Sequence, residues 1–139
     1  MPVLDSYLFF DGTCAEAMRF YEKTLGGKIE AMLTYGQSPE PGQCTPGSEN
    51  LIMHARLLLG DRALMASDTP PSQPKHQGMH GFGLSLNYPS AAEARRTFDA
   101  LSPGGQVLMP MAKTFWAEAF GCVTDRFGTP WMVGGGAAG

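Results

Sequence analysis

The sequence predicts an α+β fold built from two βαβββ modules that form a curved mixed sheet around a concave cup. Three observations carry this. Thr13-Cys14-Ala15-Glu16 opens an amphipathic stretch that carries Phe20 and Tyr21 and stops at Gly26-Gly27. Ser90-Ala91-Ala92-Glu93 opens a second, which carries Phe98 and stops at Gly104-Gly105. Both openings have the form of a capping box, in which a hydroxyl accepts from an orphan backbone N–H and a Glu three residues on reaches back. Start, aromatic and stop recur in the same order, the signature of an internal repeat.

The elements follow in sequence. Residues 4–10 read as a strand ended by Asp11-Gly12. Residues 14–25 read as a helix with Ala17, Met18, Tyr21 and Leu25 on one face. Residues 28–35 form a strand, and 36–50, rich in Pro and Gly, a loop that is either a lid or an arm clasping a partner. Residues 51–59 and 62–67 are strands joined by a tight turn at Gly60-Asp61. A proline-bearing linker, 68–78, separates the copies. The second copy offers strands at 79–87, 106–111, 119–124 and 130–134 and a helix at 91–101. The expected organisation is one domain, 1–139, with an N-terminal module at 1–67 and a C-terminal module at 79–135. Either copy alone buries little, so the two must pack together.

Bulk properties narrow the function. A net charge of −3 with interspersed signs gives no basis for nucleic-acid binding or attraction to an anionic membrane. No apolar run approaches the ~18 residues needed to span a bilayer, and the first residues lack a leader-like pattern. Cys14, Cys44 and Cys122 have no metal spacing and read as reduced thiols of a cytoplasmic protein. Nine methionines and eight phenylalanines suit an adaptable apolar interior or pocket wall.

The segments FDGTCAEAMRFYEKTLGG, IMHARLLLGDRALMASD and TFWAEAFGCVTDRFGTPWMV resemble the PhnB-like branch of the vicinal oxygen chelate superfamily, from about Tyr7 to Val133. Glyoxalase I, fosfomycin-resistance and bleomycin-binding proteins and extradiol dioxygenases share that superfamily. The resemblance implies paired βαβββ modules, a homodimer and a cup-shaped site. In metal-using relatives it implies four ligand positions, on the first and last strand of each module. Carried over, these fall on Leu4 or Ser6, on Met65, on His80 or Phe82, and on Met132. At most one is a conventional N or O donor, and thioethers do not hold a hard divalent ion. No metal and no other cofactor is therefore expected, and the chain lacks the Gly-rich strand-to-helix turn of a nucleotide-cofactor fold.

The expected role is binding of a small, largely apolar metabolite. Tyr7, Phe9, Met65, Phe82, Phe115, Trp116 and Met132 form the expected wall, with His54 as the polar fixing group. The alternative is a lyase, isomerase or dioxygenase-like enzyme acting on a vicinal-oxygen substrate, with His54 as acid/base, helped by His80 or Asp68, and with or without a weak, non-canonical metal. Alternation leaves open which face of its strand His54 occupies. Trp116 lines either a pocket mouth or a dimer contact. Asp68 is either a rim acid or a cap. Cys14, in the first turn of a helix, is expected to have a lowered thiol pKa. Asp125 is expected to bond turn amides, with Trp131 in the core.

Overall fold

A computed structural model describes residues 1–38, 46–69 and 76–137. Cys44, the middle of the 36–50 loop and most of the 68–78 linker lie outside the described residues. The chain divides into two compact units, Met1–Gln77 and Gly78–Gly139.

In the first unit, β1 (Ser6–Phe10), α1 (Cys14–Leu25), β2 (Lys28–Thr34), β3 (Ile52–Leu59) and β4 (Arg62–Asp68) build one four-stranded sheet and its covering helix. Strand order is β1-β4-β3-β2, with β1 parallel to β4 and the other pairs antiparallel. The second unit contains β5 (Leu84–Tyr88), α2 (Ala91–Leu101), β6 (Gln106–Ala112), β7 (Ala117–Thr124) and β8 (Pro130–Ala137). Its order, β5-β8-β7-β6, and its pairing senses repeat the first. The α+β class and the repeated βαβββ order match the expectation from sequence, and each unit carries its own four-stranded mixed sheet.

Alternation sorts each sheet into a helix face and an open face. In sheet 1, Leu8, Phe10, Ala55, Leu57, Leu64 and Ala66 are buried and face α1, which packs Ala17, Met18 and Tyr21 against them. In sheet 2, Ala119, Val123, Trp131 and Val133 are buried with Ala94, Phe98 and Leu101 of α2. Gly135 marks a close approach of sheet and helix: a Cβ there would lie 2.2 Å from the Ser90 carbonyl oxygen and 2.8 Å from the Ala94 Cβ.

Both helices keep their predicted limits, but their starts differ. At α2, Ser90 Oγ accepts from the Glu93 N–H and bonds the Glu93 carboxylate. At α1 the Thr13 side chain makes no cap bond. The Asp68 carboxylate, from the end of β4, accepts the Cys14 N–H instead. Gly26 closes α1 in the left-handed conformation, φ 81°, and donates to the Glu22 carbonyl, as a C-terminal glycine does.

Strand β5 begins at Leu84 rather than at residue 79. Gly81, at φ 82°, breaks the extended run before it, so His80 and Phe82 precede the strand. The β6 strand lies at the sheet edge with Val107, Leu108 and Met109 exposed. Pro110 is tolerated there because an edge strand need not donate on both sides.

Candidate functional site

The open face of sheet 1 gathers four of the predicted site residues. Tyr7 and Phe9 point away from the buried Leu8 and Phe10 and are 39% and 55% exposed. Met65 lies beside Tyr7 in the parallel β1–β4 pair and opposite Arg56 in the β3–β4 pair. The β3 register settles the face of His54: Ala55 and Leu57 are buried toward the helix, so His54 and Arg56 project to the open side. Leu33 lies across from His54 on β2.

The Tyr7 hydroxyl and His54 Nδ1 are 3.1 Å apart. Either the phenol donates to a bare Nδ1 or Nδ1–H donates to the phenol oxygen, according to the tautomer. The two rings are also stacked, with centroids 5.8 Å apart and planes at 30°. Tyr7 in turn contacts the Phe9 ring at 5.3 Å. The result is an aromatic ledge with one paired imidazole–phenol group at its edge. His76, which sequence reasoning passed over, donates from Nε2 to the Phe9 carbonyl at 2.8 Å and braces this strand from outside the sheet.

Behind the ledge lies a buried polar knot. Asp68 is 2% exposed. Its Oδ1 accepts the Cys14 N–H at 3.0 Å and its Oδ2 the Ile52 N–H at 2.8 Å, while its carbonyl accepts the Tyr35 hydroxyl at 3.1 Å. The rim-acid reading of Asp68 gives way to the cap reading, because both carboxylate oxygens are spent on backbone donors. Burial, with the Asp68 charge adding to it, pushes the Cys14 thiol up to about 12. The helix-dipole expectation for Cys14 is thus reversed: desolvation of the thiolate outweighs a partial positive charge. Burial also raises the Tyr35 phenol, followed by the influence of Tyr7, Asp68 and Cys14.

In the second unit, Met132 projects from the open face of sheet 2, between Ser85 on β5 and Cys122 on β7. Trp116 sits in the turn between β6 and β7, which Thr114 orders. Its Oγ1 accepts from the Trp116 and Ala117 N–H groups, and its own N–H donates to the Ala117 carbonyl. Trp116 meets the Phe120 ring edge-on at 5.2 Å and the Phe115 ring at 4.7 Å. Phe120 was missed from sequence because nothing local marks it as the anchor of that turn. Phe115 is 90% exposed, and Phe82 has no aromatic partner among the described residues. Asp125 holds its turn as expected: Oδ1 accepts from the Phe127 and Thr129 N–H groups and Oδ2 from the buried Trp131 Nε1–H.

The donors do not fit a hard divalent metal. On its open face sheet 1 presents imidazole, phenol, thioether and the Arg56 guanidinium with the Glu30 carboxylate beside it, and sheet 2 presents thioether, thiol, hydroxyl and the Glu118 carboxylate. Among the described residues no three His, Cys, Asp or Glu side chains converge as a ligand set. The register also corrects one carried-over ligand position. Ser6 pairs with Leu64, which faces the helix, so the first strand presents Tyr7 on the open side.

Comparison with known proteins agrees with this architecture. The chain is 36% identical to the protein YjdN of Escherichia coli strain K12, over 96% of this chain and 94% of that one. The crystal structure of PA1353 from Pseudomonas aeruginosa is 49% identical, with a TM-score of 0.90 and 98% of each chain covered. The PhnB protein of Bacillus cereus is 25% identical, with a TM-score of 0.79, over 96% of this chain and 99% of that one. The sequence profile of the Glyoxalase/Bleomycin resistance protein/Dioxygenase superfamily matches residues 3–133. The PhnB-like resemblance drawn from sequence is thus matched by a solved relative, and the chain belongs to the Glyoxalase/Bleomycin resistance protein/Dioxygenase superfamily.

Proposed function

We propose that this protein binds a small, largely apolar or planar metabolite on the open face of sheet 1, without a divalent metal. The observation that carries the reading is the Tyr7–His54 pair, set with Phe9, Met65 and Leu33 on the face that also carries Arg56. Binding sites combine this kind of apolar wall with a few convergent polar groups. Met132, Trp116, Phe115 and Phe82 are proposed as further apolar ligand contacts on their own unit. The protein acts as a homodimer in the cytoplasm on this reading. The exposed apolar edge of β6 supports the first point, and the free thiols of Cys14 and Cys122 among the described residues support the second.

The same pair favours a second reading. A phenol that fixes the orientation of an imidazole leaves Nε2 free to move a proton, so His54 could act as acid/base on a substrate with adjacent oxygens. Binding and catalysis are separated by one experiment. Protein purified from cells is analysed by native mass spectrometry, and the released small molecule is identified and titrated back. The binding reading expects Tyr7→Phe and His54→Ala to weaken affinity several-fold with the ligand recovered unchanged. Conversion of the ligand by the wild type, abolished in His54→Ala, would establish the enzyme instead.

A further inference from the structure

We propose that the open face of sheet 1 is built for an amphipathic anion. Its carboxylate or phosphoryl group is held by Arg56 with His54 and Tyr7 alongside, and its apolar body lies on Phe9, Met65 and Leu33. This deepens the binding role proposed above and rests on it.

Arg56 occupies an interior strand, since the sheet order is β1-β4-β3-β2. It lies opposite Met65, which in turn lies beside Tyr7, so one row runs Tyr7, Met65, Arg56 across three strands. His54 stands two residues earlier on the same face of β3. An arginine in such a place usually spends its planar fork of donors on neighbours. Among the described residues, no protein group accepts a hydrogen bond from this guanidinium. Its Nε is shut off from solvent and makes none, although Glu30 Oε2 is 3.3 Å away.

Glu30 sits at the β2 irregularity between Ile29 and Ala31, and its side chain is 53% exposed. An ion pair this exposed holds weakly and yields to a better placed anion. It also shows that a carboxylate reaches the Nε side of Arg56. Two oxygens of a carboxylate or phosphoryl group match the guanidinium fork in a way a single point charge does not. The Tyr7–His54 pair adds a donor beside it, His54 Nε2–H when the phenol donates to Nδ1 or the phenol O–H when Nδ1–H donates to it, and the aromatic ledge takes the body of the ligand. The plainer account treats Arg56 as a solvated charge whose stem covers Met65. That account predicts no preference for anions and no gain on removing Glu30.

The test titrates three probes into the intact protein at neutral pH and low salt, followed by NMR chemical shifts. The probes are 3-phenylpropionate, phenyl phosphate and the neutral 3-phenylpropionamide. At least one anion should bind tenfold or more tightly than the amide, with shifts at Tyr7, His54 and Arg56. Whichever anion binds tighter identifies the source of the oxyanion. Arg56→Met should erase the preference while leaving amide binding in place, and Glu30→Gln should strengthen anion binding several-fold. Should Arg56→Met fail to fold, Arg56→Lys keeps the charge, loses the fork and should lose most of the preference. Equal binding of amide and anions in the wild type, or a preference that survives loss of Arg56, overturns the proposal and leaves the apolar-binder reading intact. Absence of any probe from this face sinks both.

Discussion

The Asp68 carboxylate, at the end of β4, accepts the backbone N–H of Cys14, the first residue of α1, at 3.0 Å across 54 residues of sequence. The same carboxylate accepts the Ile52 N–H at the start of β3. One buried anion therefore satisfies two otherwise orphaned donors on two elements, and favours the positive end of the helix dipole as well.

Asp68→Asn keeps the shape but gives up the charge, and its amide can accept through only one oxygen. One of the two N–H groups then faces an NH2. A buried donor without a partner, together with the loss of charged hydrogen bonds, should cost about 2–3 kcal/mol. Urea unfolding measures this, and a change under ~0.5 kcal/mol would show that water replaces the lost acceptor.

Cys14 makes the fold sensitive to alkali. Its thiol is pushed up from an ordinary 9.0 to about 12. Below pH 9 the thiol is protonated in both the folded and unfolded chain, and the contribution is fully present. Between pH 9 and about 12 the unfolded chain releases the proton and the folded chain does not, so stability falls by up to ~1.4 kcal/mol per pH unit. The raised Tyr35 phenol acts with the same sign. Unfolding of the wild type and Cys14→Ala, compared from pH 8 to 11, should show a shallower decline in the variant. Parallel curves would mean that the thiol titrates alike in both states.

Gly135 is fixed by contact with the helix start rather than by a turn. An alanine there would drive Cβ into the Ser90 carbonyl and the Ala94 methyl. Backbone is on one side and a packed helix on the other, so the strain cannot be relieved by rotating a side chain. Gly135→Ala should lower stability by about 3 kcal/mol, the upper end for overpacking. Thermal unfolding is the measurement, and a neutral effect would show that α2 shifts at little cost.

The β6 edge makes the proposed self-association testable. Leu108 is 60% exposed between Val107 and Met109. A charge on an exposed apolar edge blocks pairing with a second copy. Leu108→Lys should move the protein from dimer to monomer in sedimentation velocity without changing its unfolding free energy by more than ~0.5 kcal/mol. A variant that sediments like the wild type would place any dimer contact elsewhere.

The sequence by itself determined the duplication, the limits of both helices and the membership of most strands. These depend on signals a few residues apart: hydroxyl and Glu at the Ser90 cap, glycine stops, and alternation along a strand. The thioethers of Met65 and Met132, at two of the four ligand positions the family resemblance implies, also made a hard-metal site a poor expectation from sequence. The tertiary structure decided what depends on pairing between distant residues. A one-residue change of register turns every side chain over, so the β3–β4 pairing alone put His54 and Arg56 on the open face, and the β1–β4 pairing put Tyr7, not Ser6, beside Met65. The cap of α1 came from Asp68 instead of Thr13, and burial overruled the helix dipole at Cys14. Those outcomes arise from residues far apart in the chain, and local patterning carries no record of which distant group arrives.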